Sequence, residues 1–137
     1  MSNFAFLSTE WKDIHEAATK AESTAIPDPR TSCFYARRAL ELAVAWAYKF
    51  DRALKLPYQD NIAALIHEPT FKHTAGEAVF VKAKLIVKFG NDAVHSNRAV
   101  SKSDSIGAVK ELFHFCYWFG RLYGRRTRPD AQLTFDE

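Results

Sequence analysis

Three observations predict an all-α fold for this chain. Apolar residues recur at intervals of three and four along most of its length. Its five glycines and five prolines leave long stretches free of both. Nothing in the pattern suggests strands alternating with helices. The expected architecture is an antiparallel bundle of four long helices plus one short helix. It would fill one domain over residues 1–124, with residues 125–137 as the start of a linker.

The first helix has the clearest period. Phe4, Leu7, Trp11, Ile14, Ala18, Ala21 and Ala25 form one stripe of about six turns. It should end near Thr24, because Pro27 and Pro29 cannot continue a helix. Asp28 can cap the next helix, with Pro29 at its first position. That second helix should run to about Asp51 with Cys33, Ala36, Leu40, Ala43, Val44 and Ala47 inward. Small residues at Ala39, Ala43 and Ala47 let a neighbour approach. Arg37 and Glu41 form an i,i+4 pair, and Arg38 extends the basic face.

The run 56–61 breaks the pattern. Asp60 or Asn61 then caps a short third helix over 62–67, which Pro69 ends. Residues 70–76 read as a connector or a ragged helix start. The fourth long segment runs from about Glu77 to Val94, and 96–102 should be a loop. Ser103 or Asp104 caps the last helix, whose stripe includes Ile106, Val109, Leu112, Phe113, Cys116 and Gly120. Phe115, Trp118 and Phe119 make it apolar over most of its girth, as befits a central helix or one that meets a second chain.

With 137 residues the chain suits one domain with its own core. Hydrophobic residues at 47% and aromatics at 14% argue against disorder. A formal charge of +3 permits a nucleic-acid partner without demanding one. Cys33 and Cys116 fall inside apolar helical patterns and read as buried free thiols of a cytosolic protein. No apolar run approaches a membrane span, and the N-terminus lacks the features of a signal peptide. The expected compartment is therefore the cytoplasm, with no membrane partner.

The polar feature that stands out is the run Gly90-Asn91-Asp92-Ala93-Val94-His95 near the end of the fourth long segment. Asn91 and His95 are four apart and share a helix face. Gly90 removes a side chain and admits a close neighbour. Its spacing predicts that it faces another helix and that Asn91 hydrogen-bonds across that contact.

Four phrases occur here in order: the opening Ser-Asn-Phe-x-Phe-Leu, Phe-Tyr-Ala-Arg-Arg-Ala-Leu-Glu at 34–41, Leu-Pro-Tyr-Gln-Asp-Asn at 56–61, and the Gly-Asn-x-Ala-Val-His box. Together they resemble the extreme N-terminal domain of type I restriction enzyme R subunits, a domain family of unknown function. That domain is similar to the HEPN superfamily (higher eukaryotes and prokaryotes nucleotide-binding). The resemblance implies a HEPN-like bundle at the start of a longer protein, an ATP-dependent site-specific deoxyribonuclease. ATP and Mg would belong only to later nuclease and motor regions. The implied partners are the methyltransferase and specificity subunits of a restriction complex, with double-stranded DNA and a homodimer as further options.

Active HEPN nucleases look like Arg-Asn-x3-His, where histidine moves protons and arginine stabilises phosphate charge. Asn91 and His95 match, but Gly90 stands where the arginine is expected; Lys88 and Arg98 lie off the matching place. The motif is therefore read as degenerate and the fragment as non-catalytic, with a HEPN-type ribonuclease or toxin-like protein as the alternative and a helical dimerisation module as another. His95 can instead meet carbonyls at the helix C-terminus.

Other chemistries lack their residues. There is no Gly-x4-Gly-Lys-Ser/Thr phosphate loop, no paired-cysteine zinc motif and no Gly-x-Ser-x-Gly elbow. His67-Glu68 followed by His73 is interrupted by Pro69, so no metal site is expected. Cys116 and His114, two apart, point to different sides of a helix. The candidate nucleic-acid contacts are Arg121, Arg125, Arg126 and Arg128, where four arginines follow one another without an acid between them, and secondarily Arg37 and Arg38.

Overall fold

The computed structural model describes residues 2–95, 97–126 and 128–137. Met1, Ser96 and Thr127, which belong to the expected domain, loop and linker, lie outside the described residues. A 3-10 turn, Ala5–Leu7, precedes α1 (Lys12–Thr24), α2 (Pro29–Phe50), α3 (Ile62–His67), α4 (Pro69–Ala75), α5 (Glu77–His95) and α6 (Lys102–Tyr123). No strand occurs among the described residues.

Two elements depart from the sequence reading. The first stripe is not one helix: the chain makes a 3-10 turn and re-enters helix only at Lys12, after Trp11 at φ −135° and ψ 74°. Phe4, Leu7, Trp11 and Ile14 are nonetheless all buried. A bend that keeps each apolar side chain inward leaves the three-and-four spacing intact, so periodicity alone does not reveal it. Second, residues 70–76 are neither a connector nor the ragged start of α5: most of them belong to a separate short helix. Pro69 ends α3 and also opens α4, because its missing N–H is no loss in a first turn. Glu68 accepts from the Thr70 N–H at 2.7 Å, and Phe71 and Ala75 bury the inner face. Gly76, at φ +82°, stops α4 in the left-handed region that favours glycine. There are thus two short helices beside the four long ones.

The caps follow side-chain chemistry. Asp28 accepts from Thr31 N–H with Pro29 at the first position of α2, and Asn61 accepts from Ala64 N–H at 2.9 Å. The last helix starts earlier than expected. Ser101, not Ser103 or Asp104, is the cap, with Oγ 3.0 Å from the Asp104 nitrogen.

Contacts at the helix ends fix direction. Ser32 at the start of α2 donates from Oγ to the Ala21 carbonyl near the end of α1 at 2.6 Å, so α1 and α2 are antiparallel. Ser105 donates to the Ala25 carbonyl just beyond it. Two buried hydroxyls thereby satisfy carbonyls that helix termini leave unpaired. Lys82 meets Glu111 at 3.4 Å while Phe89 lies near Gly107, so α5 and α6 are antiparallel too. α2 packs on α1, α3, α5 and α6 and is the central helix; α6 packs chiefly on α2 and α5, and less on α1. Phe113, Phe115, Phe119, Leu112 and Cys116 from α6 are fully or almost fully buried. Each such large side chain contributes roughly 1.5–3 kcal/mol by burial. Trp46, Trp11, Phe119 and Tyr123 form an aromatic seam where α1 starts and α2 and α6 end, with Trp11 4.9 Å from Phe119 and Trp46 5.3 Å from Tyr123.

Residues 128–137, in the stretch read as the beginning of a linker, lie against these helices. Pro129 is buried, and Phe135 packs 5.6 Å from Phe113. Asn3 holds the end of the chain at both of its amide atoms: Oδ1 accepts from Asp136 N–H, and Nδ2 donates to the Asp136 carbonyl.

Candidate functional site

The Gly-Asn box sits where α5 crosses α2. Gly90 is buried, and a Cβ built on it would lie 2.6 Å from Arg37 Cβ and 2.7 Å from Arg37 Cδ. The absent side chain is therefore the seat of the Arg37 stem. From there the guanidinium reaches one residue along α5, where Nη1 donates to Asn91 Oδ1. Its Nε stands 3.7 Å from Glu41 on the same helix. Both predicted features of the box, close approach at Gly90 and a cross-helix bond at Asn91, are thus present, and their common partner is Arg37. Arg38, its neighbour, is exposed.

His95 is the last residue of α5 and is exposed. One carbonyl of the last turn is met from α2: Arg30 donates from Nη1 to the Ala93 carbonyl and from Nη2 to the Arg98 carbonyl at 2.7 Å. An arginine of α2 thus takes part in capping the end of α5, and no local spacing encodes its reach across the interface.

The two candidate arginine groups are apart. Residues 37 and 50 of α2 are separated by ~20 Å along the helix axis, and the Arg121 group belongs to the Phe50 end. There Tyr123 donates to Asp51 at 2.5 Å, which ties the ends of α6 and α2 together. Arg121 donates to the Pro129 carbonyl at 3.1 Å and Arg128 to the Gly124 carbonyl at 2.8 Å, so two of the four guanidinium groups hold their own turn. The backbone N–H groups of Arg125 and Arg126 both donate to the Glu10 carboxylate, while their side chains lie at the surface.

The thiols are packing groups. Burial pushes the Cys33 thiol up to about 11 and raises that of Cys116 further still. Neither is a thiolate at neutral pH, and the thiolate is the nucleophilic form. Burial lowers the pKa of His114, with Lys82 adding to the effect, and its Nδ1 is buried without a hydrogen bond among the described residues.

A second feature escaped the sequence reading. Between α3 and α5 runs an open groove of about 310 Å³. The buried Ile66 and Val87 floor it, and His67, Lys84, Lys88, Asn91 and the acid Asp92 complete its lining with Ala63. Nearby, Phe80 is buried beneath cations: Lys72 Nζ lies 4.7 Å and Lys84 Nζ 5.4 Å from its ring centre, with His67 edge-on at 5.1 Å. The i,i+4 spacing of Lys84 and Lys88 is legible in the sequence, but α3 as the opposite wall is not.

Among the described residues no three His, Cys, Asp or Glu side chains gather as a metal site, and no helix is long and apolar enough to cross a membrane. The molecule defined so far is an all-helical domain with a polar clamp between two helices and a cationic groove beside it. The chain belongs to DUF4145, a family described as a domain of unknown function, whose model matches residues 19–132. No curated protein and no solved structure matches it.

Proposed function

We propose that this domain is the non-catalytic accessory N-terminal part of a type I restriction endonuclease R subunit. It acts in restriction of foreign DNA, in the cytoplasm, by docking that subunit to the methyltransferase core or to DNA. The bundle is read as HEPN-like. The sequence support is the ordered set of four phrases around the box. The observation that carries the non-catalytic reading is the fate of the box. Gly90 and Asn91 are used to seat and hold Arg37, so the polar residue of the motif is spent on a helix–helix clamp. His95, the remaining member, is exposed at the last position of α5.

Two measurements test this. Co-expressed with methyltransferase and specificity subunits from its own genome, the domain should co-elute with them; elution as a free species would remove the docking role. Duplex DNA binding, measured at low salt, should fall when Arg125, Arg126 and Arg128 are changed together to Gln, with a shallower salt dependence. Indifference to that change would confine docking to protein surfaces.

One observation favours the ribonuclease alternative. Arg37 brings a guanidinium to the very turn of α5 where the motif lacks one. If the purified chain cleaves single-stranded RNA, and Arg37→Ala and His95→Ala each abolish cleavage, the accessory reading falls.

A further inference from the structure

We infer that the groove between α3 and α5, with the outer face of α5 beside it, is the docking surface for an acidic protein segment that carries aliphatic side chains. This rests on the protein-docking reading above and names the surface and the chemistry of its partner.

The argument begins with α5. Its inner face is filled by Phe80, Ala83, Ile86 and Gly90, all buried. A helix of a bundle needs no apolar residues on its opposite side. Yet Val81 is 43% and Leu85 36% exposed, and both lie on the turns that also present Lys84 and Lys88. In the groove Ile66 and Val87 form an aliphatic floor, lined also by His67, the two lysines and one acid, Asp92. Aliphatic surface framed by cations is complementary to a segment that alternates carboxylates with Leu- or Ile-like side chains.

The cations are available to such a partner. Lys84 has no carboxylate partner among the described residues; its ammonium rests near the Phe80 ring. Lys88 meets Asp92 at 3.2 Å, but both side chains are more than half exposed. An exposed i,i+4 pair of this kind contributes little, so a partner carboxylate can replace Asp92 at little cost.

Charge alone would fit a nucleic acid equally well. The groove argues for protein because its floor is aliphatic, and among the described residues the ring in its lining is the His67 imidazole, set edge-on to Phe80. Single-strand binders rely on open aromatic faces, and here Phe80 is buried beneath Lys72, Lys84 and His67. Aliphatic floor and flanking positive charge are instead the ingredients of amphipathic peptide recognition.

The test uses the whole chain and a fluorescent peptide of alternating glutamate and leucine, read by anisotropy at low salt. Saturable binding is expected, stronger than to an all-glutamate peptide of equal charge. Changing Lys84 and Lys88 together to Gln should weaken it by about tenfold. Leu85→Ser, at an exposed site, should weaken it without altering the melting temperature. The double change Lys84→Glu with Lys88→Glu should transfer binding to a lysine–leucine peptide, which separates recognition from unfolding. No binding, equal binding to the all-glutamate peptide, or tighter binding to a single-stranded oligonucleotide that depends on the same lysines would each overturn the assignment. Co-elution with the methyltransferase core alongside any of those results would leave the docking role standing and this surface wrong.

Discussion

Gly90 and Gly120 are both buried glycines inside long helices, and both lack the room for a side chain, yet they constrain the molecule differently. At Gly90 the obstacle is Arg37 Cβ at 2.6 Å, an atom fixed to the backbone of α2. At Gly120 the obstacles are the Pro129 ring at 3.0 Å and the Phe6 ring at 3.1 Å, which belong to the tail and to the 3-10 turn. The first contact sets the distance between two principal helices. The second sets where two terminal segments lie on a helix already placed by others. Proximity alone does not measure a glycine's importance; what matters is how firmly the neighbour is anchored.

The largest effect should come from Gly90→Leu. The new side chain forces α2 from α5 or expels Arg37, and overpacking of this kind should cost about 3 kcal/mol. Urea denaturation reads it as a lower midpoint at unchanged slope. A midpoint equal to that of the parent chain would show that the two helices are not held at close range.

The polar half of the clamp should matter less. Arg37→Met keeps most of the stem over Gly90 and removes the bond to Asn91, at a cost of about 1 kcal/mol. A double-mutant cycle with Asn91→Ala should then show coupling. Additive costs would mean that the stem, and not the hydrogen bond, makes the contact.

Gly120→Ala should be close to neutral, because a gain of up to ~1 kcal/mol in helix propensity offsets a shift of a few tenths of an ångström by Phe6 and Pro129. Thermal melts of Gly90→Ala and Gly120→Ala side by side give the sharpest form of the comparison. Equal losses would remove the distinction between an anchored and a yielding neighbour.

The smallest effect concerns the start of α2. Hydrogen bonds from the Thr31 hydroxyl and then its N–H hold the Asp28 carboxyl below its usual 3.8, with Arg30 contributing less. A carboxyl whose folded pKa is depressed stabilises the fold above its unfolded pKa and loses that contribution as pH falls through the folded value. The stability gap between the parent chain and Asp28→Asn should therefore shrink as pH drops below about 3.8. A gap constant from neutral pH to below that range would exclude the charge from the cap.

Much of the fold was legible because its signals are local. Pro29 after Asp28, the caps that short polar side chains form, and the three-and-four stripes depend on neighbours within a turn or so. The buried stripe of α2, from Cys33 to Ala47, is as its spacing predicts. The turn at Ala5–Leu7 was hidden because a bend can preserve an apolar stripe, and α4 because Pro69 reads as a stop when it is also a start.

The sequence by itself determined the helical class, the long segments, and the presence of a small residue beside a polar one in the box. Only the tertiary structure decided what those two residues meet. Arg37 and Asn91 are 54 positions apart, Arg30 and Ala93 are 63 apart, and Ser105 and Ala25 are 80 apart. Spacing within a helix says which residues share a face; it carries no information on which face of another helix arrives there. That choice is made by packing the whole core at once, and so the clamp, the groove and the course of the tail appear only in three dimensions.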